Sequence, residues 1–258
     1  RPKTLTYHGG LVKVGLGEEL SQKVKAFNRK EGLTLFMTLL GGLQLLLSRY
    51  TGEKDIVVGS PIANRQELVL EDLIGFFINT LVLRTYCDES QVVREYYKKI
   101  KSTTLDAYTY QDVPFEQLVE CLNVERELNR HPLFQIKLAV HNVGQTSIEL
   151  TGLEATCVEL RQNYSQLDLN VDVVETKDDI LLTFQYSKDL FDEVTIERFS
   201  QHYIQLLAEL ISNIELPLSK ISFLAEVEEK ALLLWNQTKV AYSEDKMLSE
   251  LFEIQAEK

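Results

Sequence analysis

Residues 33–47 read LTLFMTLLGGLQLLL, the longest apolar run in the chain, interrupted by Thr34, Thr38 and Gln44. The run is too short to span a bilayer, so it reads as part of a buried helix that opens at Thr34 and runs to about Tyr50. The pair Gly41-Gly42 lowers helix propensity, and the spacing predicts the close approach of another backbone there. With 258 residues the chain can bury a substantial core, in one large domain or two smaller units.

The flanking patterns supply the other layers. Residues 7–16 look strand-like, and GEELSQKVKAFNRKEG carries Leu20, Val24 and Phe27 at helical spacing before Gly32, a C-cap signal. DIVVGSPI (55–62) and NTLVLRTY (79–86) read as strands, and residues 63–73 as an irregular segment. A long helix follows at about 90–109, with Val92, Tyr96, Ile100 and Leu105 inward. At 113–122 Asp112 is a good N-cap, Pro114 fits the first turn, and Phe115, Leu118 and Leu122 share one face. FQIKLAVHN (134–142) alternates as a half-buried strand, and CVEL adds another. LDLNVDVVE (167–175) and DILLTFQYS (179–187) form an antiparallel hairpin across a polar turn. VTIERFSQHYIQLLAELISNI (194–214) is a final helix whose face carries Phe199, Tyr203, Leu206, Leu207 and Leu210. From Leu216 the pattern loosens into a linker-like tail with Trp235. Strands mixed with helices in this way predict an α/β (α+β layered) fold, a mixed sheet flanked by helices.

Generic chemistry is sparse. The net charge of −12 and the lack of a basic run argue against a nucleic-acid binder. GLVKVGLGEE lacks the third glycine of a dinucleotide fingerprint, and no phosphate-binding GxxxxGK[ST] is present. His8, His131, His141 and His202 have no metal-ligand spacing, so no metal site is expected. Cys87, Cys121 and Cys157 are odd in number and widely spaced, which predicts structural thiols in a reducing cytoplasm. The opening Arg1-Pro2-Lys3 and the closing LSELFEIQAEK, with Leu248, Leu251 and Ile254 on one face, are expected to be interior points of a longer polypeptide.

Three segments carry more. IGFFINTLVLR (74–84), YQDVPFEQLVE (110–120) and RELNRHPLFQ (126–135) resemble, in this order, three signature motifs of condensation domains from non-ribosomal peptide synthetases. Ile74, Gly75, Phe77, Asn79, Thr80 and Arg84 match the pattern IGxFVNTxxxR. Gln111, Asp112, Pro114, Phe115 and Glu116 match the second motif, with Tyr110 in place of His or Asn. Arg126, Arg130, Pro132, Leu133, Phe134 and Gln135 match RDxSRNPLFQ, while Glu127, Asn129 and His131 depart from it. The tail from Trp235 resembles the linker into an adenylation domain. The resemblance divides the chain into a C-terminal lobe at 1–215 and, at 216–258, the linker and start of the adenylation domain.

The resemblance implies a fold similar to one lobe of chloramphenicol acetyltransferase, with a substrate tunnel between two lobes. It implies amide formation between thioesters carried on the phosphopantetheine arms of upstream and downstream carrier proteins, with no cofactor bound directly. The family's HHxxxDG motif does not occur in these residues. The expected partners are therefore a missing N-terminal lobe, the carrier proteins and the adjoining adenylation domain, with no nucleic acid and no membrane. Self-association through an exposed apolar face is also expected. Residues around 63–79 resemble the floor loop of the tunnel, and about 142–160 the stretch that crosses to the other lobe. Asn79 and Asn142 are the polar candidates near the reaction centre; the alternatives are a strand-start amide bonding its own backbone and a strand-end turn residue. Arg84 is a candidate partner for an acid on the other lobe, or else one half of a surface ion pair. A non-catalytic docking lobe and an acyltransferase acting on alcohols or small amines are the competing functions.

Overall fold

The computed structural model describes all residues except 5, 66, 125, 126, 128, 142–162, 240–246 and 258, and for Glu71 the backbone alone. The chain forms two compact units, Arg1–Phe223 and Leu224–Lys258. The expected strand CVEL and the residues Asn142, Cys157 and Arg126 lie outside the described residues.

The first unit is built on a mixed six-stranded sheet. Its strands are β1 (Gly9–Gly15), β2 (Asp55–Ile62), β3 (Asn79–Tyr86), β4 (Ile136–His141), β5 (Leu169–Glu175) and β6 (Ile180–Ser187), in the order β1-β6-β5-β4-β2-β3. The central pairs β2·β4 and β4·β5 are parallel, and the remaining pairs are antiparallel. The β5–β6 hairpin has the expected form, with Leu169 opposite Tyr186 and Glu175 opposite Ile180. One face of the sheet is apolar: Val12, Ile56, Val58, Leu83, Leu138, Val171, Val173, Leu182 and Phe184 are all buried in a single cluster.

Helices α1 (Glu18–Glu31), α2 (Leu35–Thr51), α4 (Val93–Thr109) and α6 (Glu193–Ser212) supply most of the rest of that cluster. The helix α1 closes on Gly32 at φ 63, the left-handed conformation a C-cap glycine allows without strain. Thr34 caps α2 by accepting from the Met37 N–H, and every residue from Met37 to Ser48 is buried. The apolar run is thus the central helix of the unit. Its glycines admit side chains rather than another backbone: a Cβ on Gly41 would lie 2.7 Å from the Tyr97 ring, and one on Gly42 would lie 2.6 Å from Leu207. Large side chains from α4 and α6 fill the space that a backbone crossing was expected to take. Three phenols then donate to carbonyls of α2: Tyr96 to Gly41, Tyr97 to Thr38 and Tyr203 to Leu39, at 2.9, 3.3 and 2.7 Å. Burial raises the pKa of all three hydroxyls above the ordinary tyrosine value and so keeps them protonated.

Two inward positions shift by a residue or more. Thr104 rather than Leu105 completes the buried face of α4, its hydroxyl bonded to the Ile100 carbonyl, and Leu105 is exposed. Leu122 is exposed because α5 (Phe115–Cys121) ends just before it, and Val119 takes the buried position. The segment expected to be irregular contains one short helix, α3 (Leu68–Glu71).

The compact unit continues past the boundary expected at 215. Leu218 and Ile221 are buried, and Arg49 donates to both of their carbonyls while pairing with Glu89. Phe223 packs against Tyr50, His202 and the Arg49 guanidinium. In the second unit, α7 (Glu226–Trp235) and α8 (Leu248–Ala256) have no buried residue of their own. No single helix among the described residues is long and apolar enough to cross a membrane.

Candidate functional site

The first signature segment lies more than twenty residues before the other two, which follow each other closely, yet all three line one cavity of about 830 Å³ at the start of β3. The first segment contributes Phe76, Phe77, Ile78, Asn79 and Thr80, the second Asp112, Pro114, Phe115 and Glu116, and the third Arg130, His131 and Pro132. Asn64 and Val119 complete the apolar and polar lining together with Glu127.

Asn79 holds two of these segments together. Its Nδ2 donates to the carbonyls of Gln111 and Val113 at 2.7 and 2.8 Å, and its Oδ1 accepts from the Phe115 N–H at 3.1 Å. Helix α5 starts at Phe115 with Pro114 in the cap position at φ −60. An orphan N–H at that start therefore finds its acceptor on a strand distant in sequence, where Asp112 and a first-turn Pro114 were expected to do the work. Proline has no hydroxyl or carboxylate to accept with, so an acceptor from outside the helix is required. Gln111 enters through its backbone carbonyl. The Asn79 amide bonds the backbone of another segment, not its own.

The floor segment closes around Arg65. Its guanidinium lies 4.2 Å from the centre of the Phe77 ring and donates to the carbonyls of Leu70 and Gly75. Gly75 is needed for this closure, since a Cβ there would sit 2.7 Å from the Phe77 ring. The same segment exposes Leu68, Val69, Leu73, Ile74, Phe76 and Ile78; Ile74 and Phe76 are 105% and 89% accessible.

The third segment turns sharply. The Phe134 N–H donates to the Pro132 carbonyl at 2.9 Å across Leu133, which has φ 69. A three-residue turn with a left-handed branched residue at its centre is strained, and such strain is commonest beside functional surfaces. The turn aims Phe134 at β2, where a Cβ on Gly59 would lie 2.3 Å from the ring. His131 stacks on Phe115 at 5.4 Å and contacts Phe134 at 4.4 Å. Gln135 donates to the His131 carbonyl at 3.0 Å, and Arg130 pairs with Glu127 at 3.5 Å.

Other candidates fall elsewhere. Arg84 makes a bidentate pair with Asp55 on β2, at 2.9 and 2.6 Å, and does not line the cavity. The hydrogen-bonded pairing holds the Asp55 pKa below, and the Arg84 pKa above, the ordinary value of each group. His141 meets Asp172 at 2.9 Å across β4 and β5. Among the described residues no group of side chains could hold a metal ion. His131 and Glu127 were visible in the sequence only as departures from a motif, and nothing in their spacing marked them as cavity residues.

Comparison with known proteins gives the arrangement a family. The family model for the condensation domain matches residues 1–233. One of the subunits of linear gramicidin synthase from Brevibacillus parabrevis is 41% identical over 98% of this chain, which spans 5% of that protein. Bacitracin synthase 3 from Bacillus licheniformis is 39% identical over the whole chain, which spans 4% of it. A holo four-domain nonribosomal peptide synthetase, solved with AMP and glycine, superposes with a TM-score of 0.86 at 20% identity, covering 100% of this chain and 21% of its own. The X-domain from teicoplanin biosynthesis, solved in complex with OxyB, gives 0.79 at 24% identity, over 88% of this chain and 50% of its own. Three segments converging on one wall, a mixed sheet backed by helices and a family match across most of the sequence lead to one conclusion: the chain belongs to the condensation-domain family of nonribosomal peptide synthetases.

Proposed function

We propose that this chain is the C-terminal lobe of a condensation domain and forms one wall of the tunnel in which two carrier-bound substrates meet. The observation that supports this most directly is the convergence of three signature segments on a single open cavity beside an exposed apolar surface. In the reaction, the acceptor amine attacks the donor thioester carbonyl. A C–N bond forms, the C–S bond breaks, and the thiol leaves with the proton that the amine gives up. Holding both tethered substrates in one tunnel supplies much of the rate by proximity.

The histidine motif that the family uses for the amine is absent from this sequence. The lobe alone is therefore inactive, and the exposed floor residues Ile74 and Phe76 are part of the surface that the other lobe covers. The adenylation domain follows the second unit, and the setting is the cytoplasm. The deciding experiment mixes two loaded carrier proteins with the lobe alone and, separately, with a parent protein carrying roughly two hundred further residues upstream. Amide product is expected only in the second mixture; product from the lobe alone, or from neither, overturns the reading. A second reading, a docking lobe without chemistry, draws on the likeness to the X-domain solved in complex with OxyB. An upstream segment without an intact HHxxxDG would favour it.

A further inference from the structure

The cavity wall is unequal in charge and in hydrogen-bonding sense. Asp112, Glu116 and Glu127 line it against the guanidinium of Arg130, which is already paired with Glu127. His131 adds to this bias. Its Nδ1 lies 2.9 Å from the Pro132 carbonyl, and a carbonyl can only accept, so the ring proton sits on Nδ1. In the neutral ring Nε2 is then a lone-pair acceptor. The ring cannot easily turn to reverse that assignment, because Phe115 stacks on it and Phe134 contacts it. The apolar share of the wall, with Phe77, Phe115 and Pro132, suits a carbon body, and its aromatic rings tolerate a cation. The Phe77 ring already takes one cation, the guanidinium of Arg65. A volume of about 830 Å³ is that of a small-molecule site.

We infer that this cavity is a binding site for a small ammonium ligand, a protonated amine on an aromatic or branched apolar body. The ammonium donates to Glu116 and to Nε2 of His131, and the body rests on the Phe115 side of the cavity. The inference goes beyond the condensation reading, since binding needs neither a thioester nor a second lobe, and each can fail while the other stands.

Calorimetric titration of the chain with 2-phenylethylamine, and in parallel with the neutral 2-phenylethanol, tests it. The amine is expected to bind about tenfold more tightly than the alcohol, the difference made by one charge-assisted hydrogen bond. Glu116→Gln and His131→Phe should each remove most of that preference, weakening the amine far more than the alcohol. Arg130→Gln removes the competing cation and should tighten amine binding, a gain that a misfolded variant cannot imitate. Equal affinities for amine and alcohol, no binding of either, or tighter binding of phenylacetate than of the amine would each overturn the assignment.

Discussion

The central helix α2 and the floor segment 68–78 are both rich in large apolar residues, and they meet opposite fates. In α2 the residues from Met37 to Ser48 are all buried. In the floor segment Leu68, Val69, Ile74 and Phe76 stand in solvent. Composition does not separate the two. The difference is that α2 meets its own backbone hydrogen bonds and is enclosed by α1, α4, α6 and the sheet. Residues 68–78 instead hold only the short helix α3 and close around one arginine, with most of their apolar side chains exposed. An apolar stretch is a core element only if something within the same chain covers it; otherwise it marks a surface that another body is to cover.

Substitutions should separate the two regions sharply. Leu43→Ala, in the fully buried part of α2, is expected to cost about 2–5 kcal/mol by leaving a cavity, whereas Phe76→Ala in the floor should change stability by less than about 0.5 kcal/mol. Urea midpoints of the two variants decide the matter, and equal losses would break the contrast.

The phenols around α2 predict a pH dependence of the same region. Burial raises the pKa of Tyr96, Tyr97 and Tyr203 in the folded state. Their contribution is therefore complete below the unfolded tyrosine value of about 10 and is lost as pH rises above it, because the unfolded chain ionises first. Denaturation curves from neutral to strongly alkaline pH should show this decline, and Tyr203→Phe should make it shallower at a neutral-pH cost of about 1 kcal/mol for the lost bond to Leu39. An equally steep decline in the variant would remove Tyr203 from the account.

Asn79→Ala tests the wall between the two regions. Loss of the bonds to Gln111, Val113 and Phe115 should cost about 1–3 kcal/mol, with amide exchange rising first at 111–121. In a parent domain the condensation rate per folded molecule is expected to fall as well, since the cavity wall moves with that segment. A faster-exchanging α5 with an unchanged rate would confine Asn79 to the scaffold. Smaller still in stability terms is the floor itself. The chain should self-associate with rising concentration in sedimentation, and Ile74→Ser with Phe76→Ser should abolish this while leaving the melting midpoint in place. Arg84→Ala should leave stability within error at moderate salt, because its pair with Asp55 is exposed.

Much of the fold could be read before any coordinates, and the reasons are local. The Gly32 cap, the Thr34 start and the β5–β6 turn each depend on neighbours within a few residues. The inward face of α6 follows from its spacing, and Phe199, Tyr203, Leu206, Leu207 and Leu210 are all buried. What escaped the sequence depends on distance. The acceptor that caps α5 comes from Asn79, thirty-six positions before Phe115, and no local pattern announces it. The occupant of the Gly41-Gly42 notch was read as a backbone because glycine only says that something comes close, not what. His131 joined the cavity through a strained turn at Leu133 that its neighbours in sequence do not signal. Likewise, the segment after Leu216 reads as linker, yet backbone bonds to Glu89 and Gln91 and the Arg49 side chain, all from far upstream, fix it to the first unit.

That last grip has a mechanical consequence. The chain leaves the first unit at Phe223, so any tension on the residues beyond it is borne first by the Phe223 ring wedged against Tyr50 and His202, then by two carbonyls held on one guanidinium. Arg49 belongs to the last turn of α2, whose residues from Met37 to Ser48 are all buried. A pull on the exit therefore loads a helix enclosed in the core before it reaches an edge strand of the sheet, and the chain leaves its first unit from an anchored post.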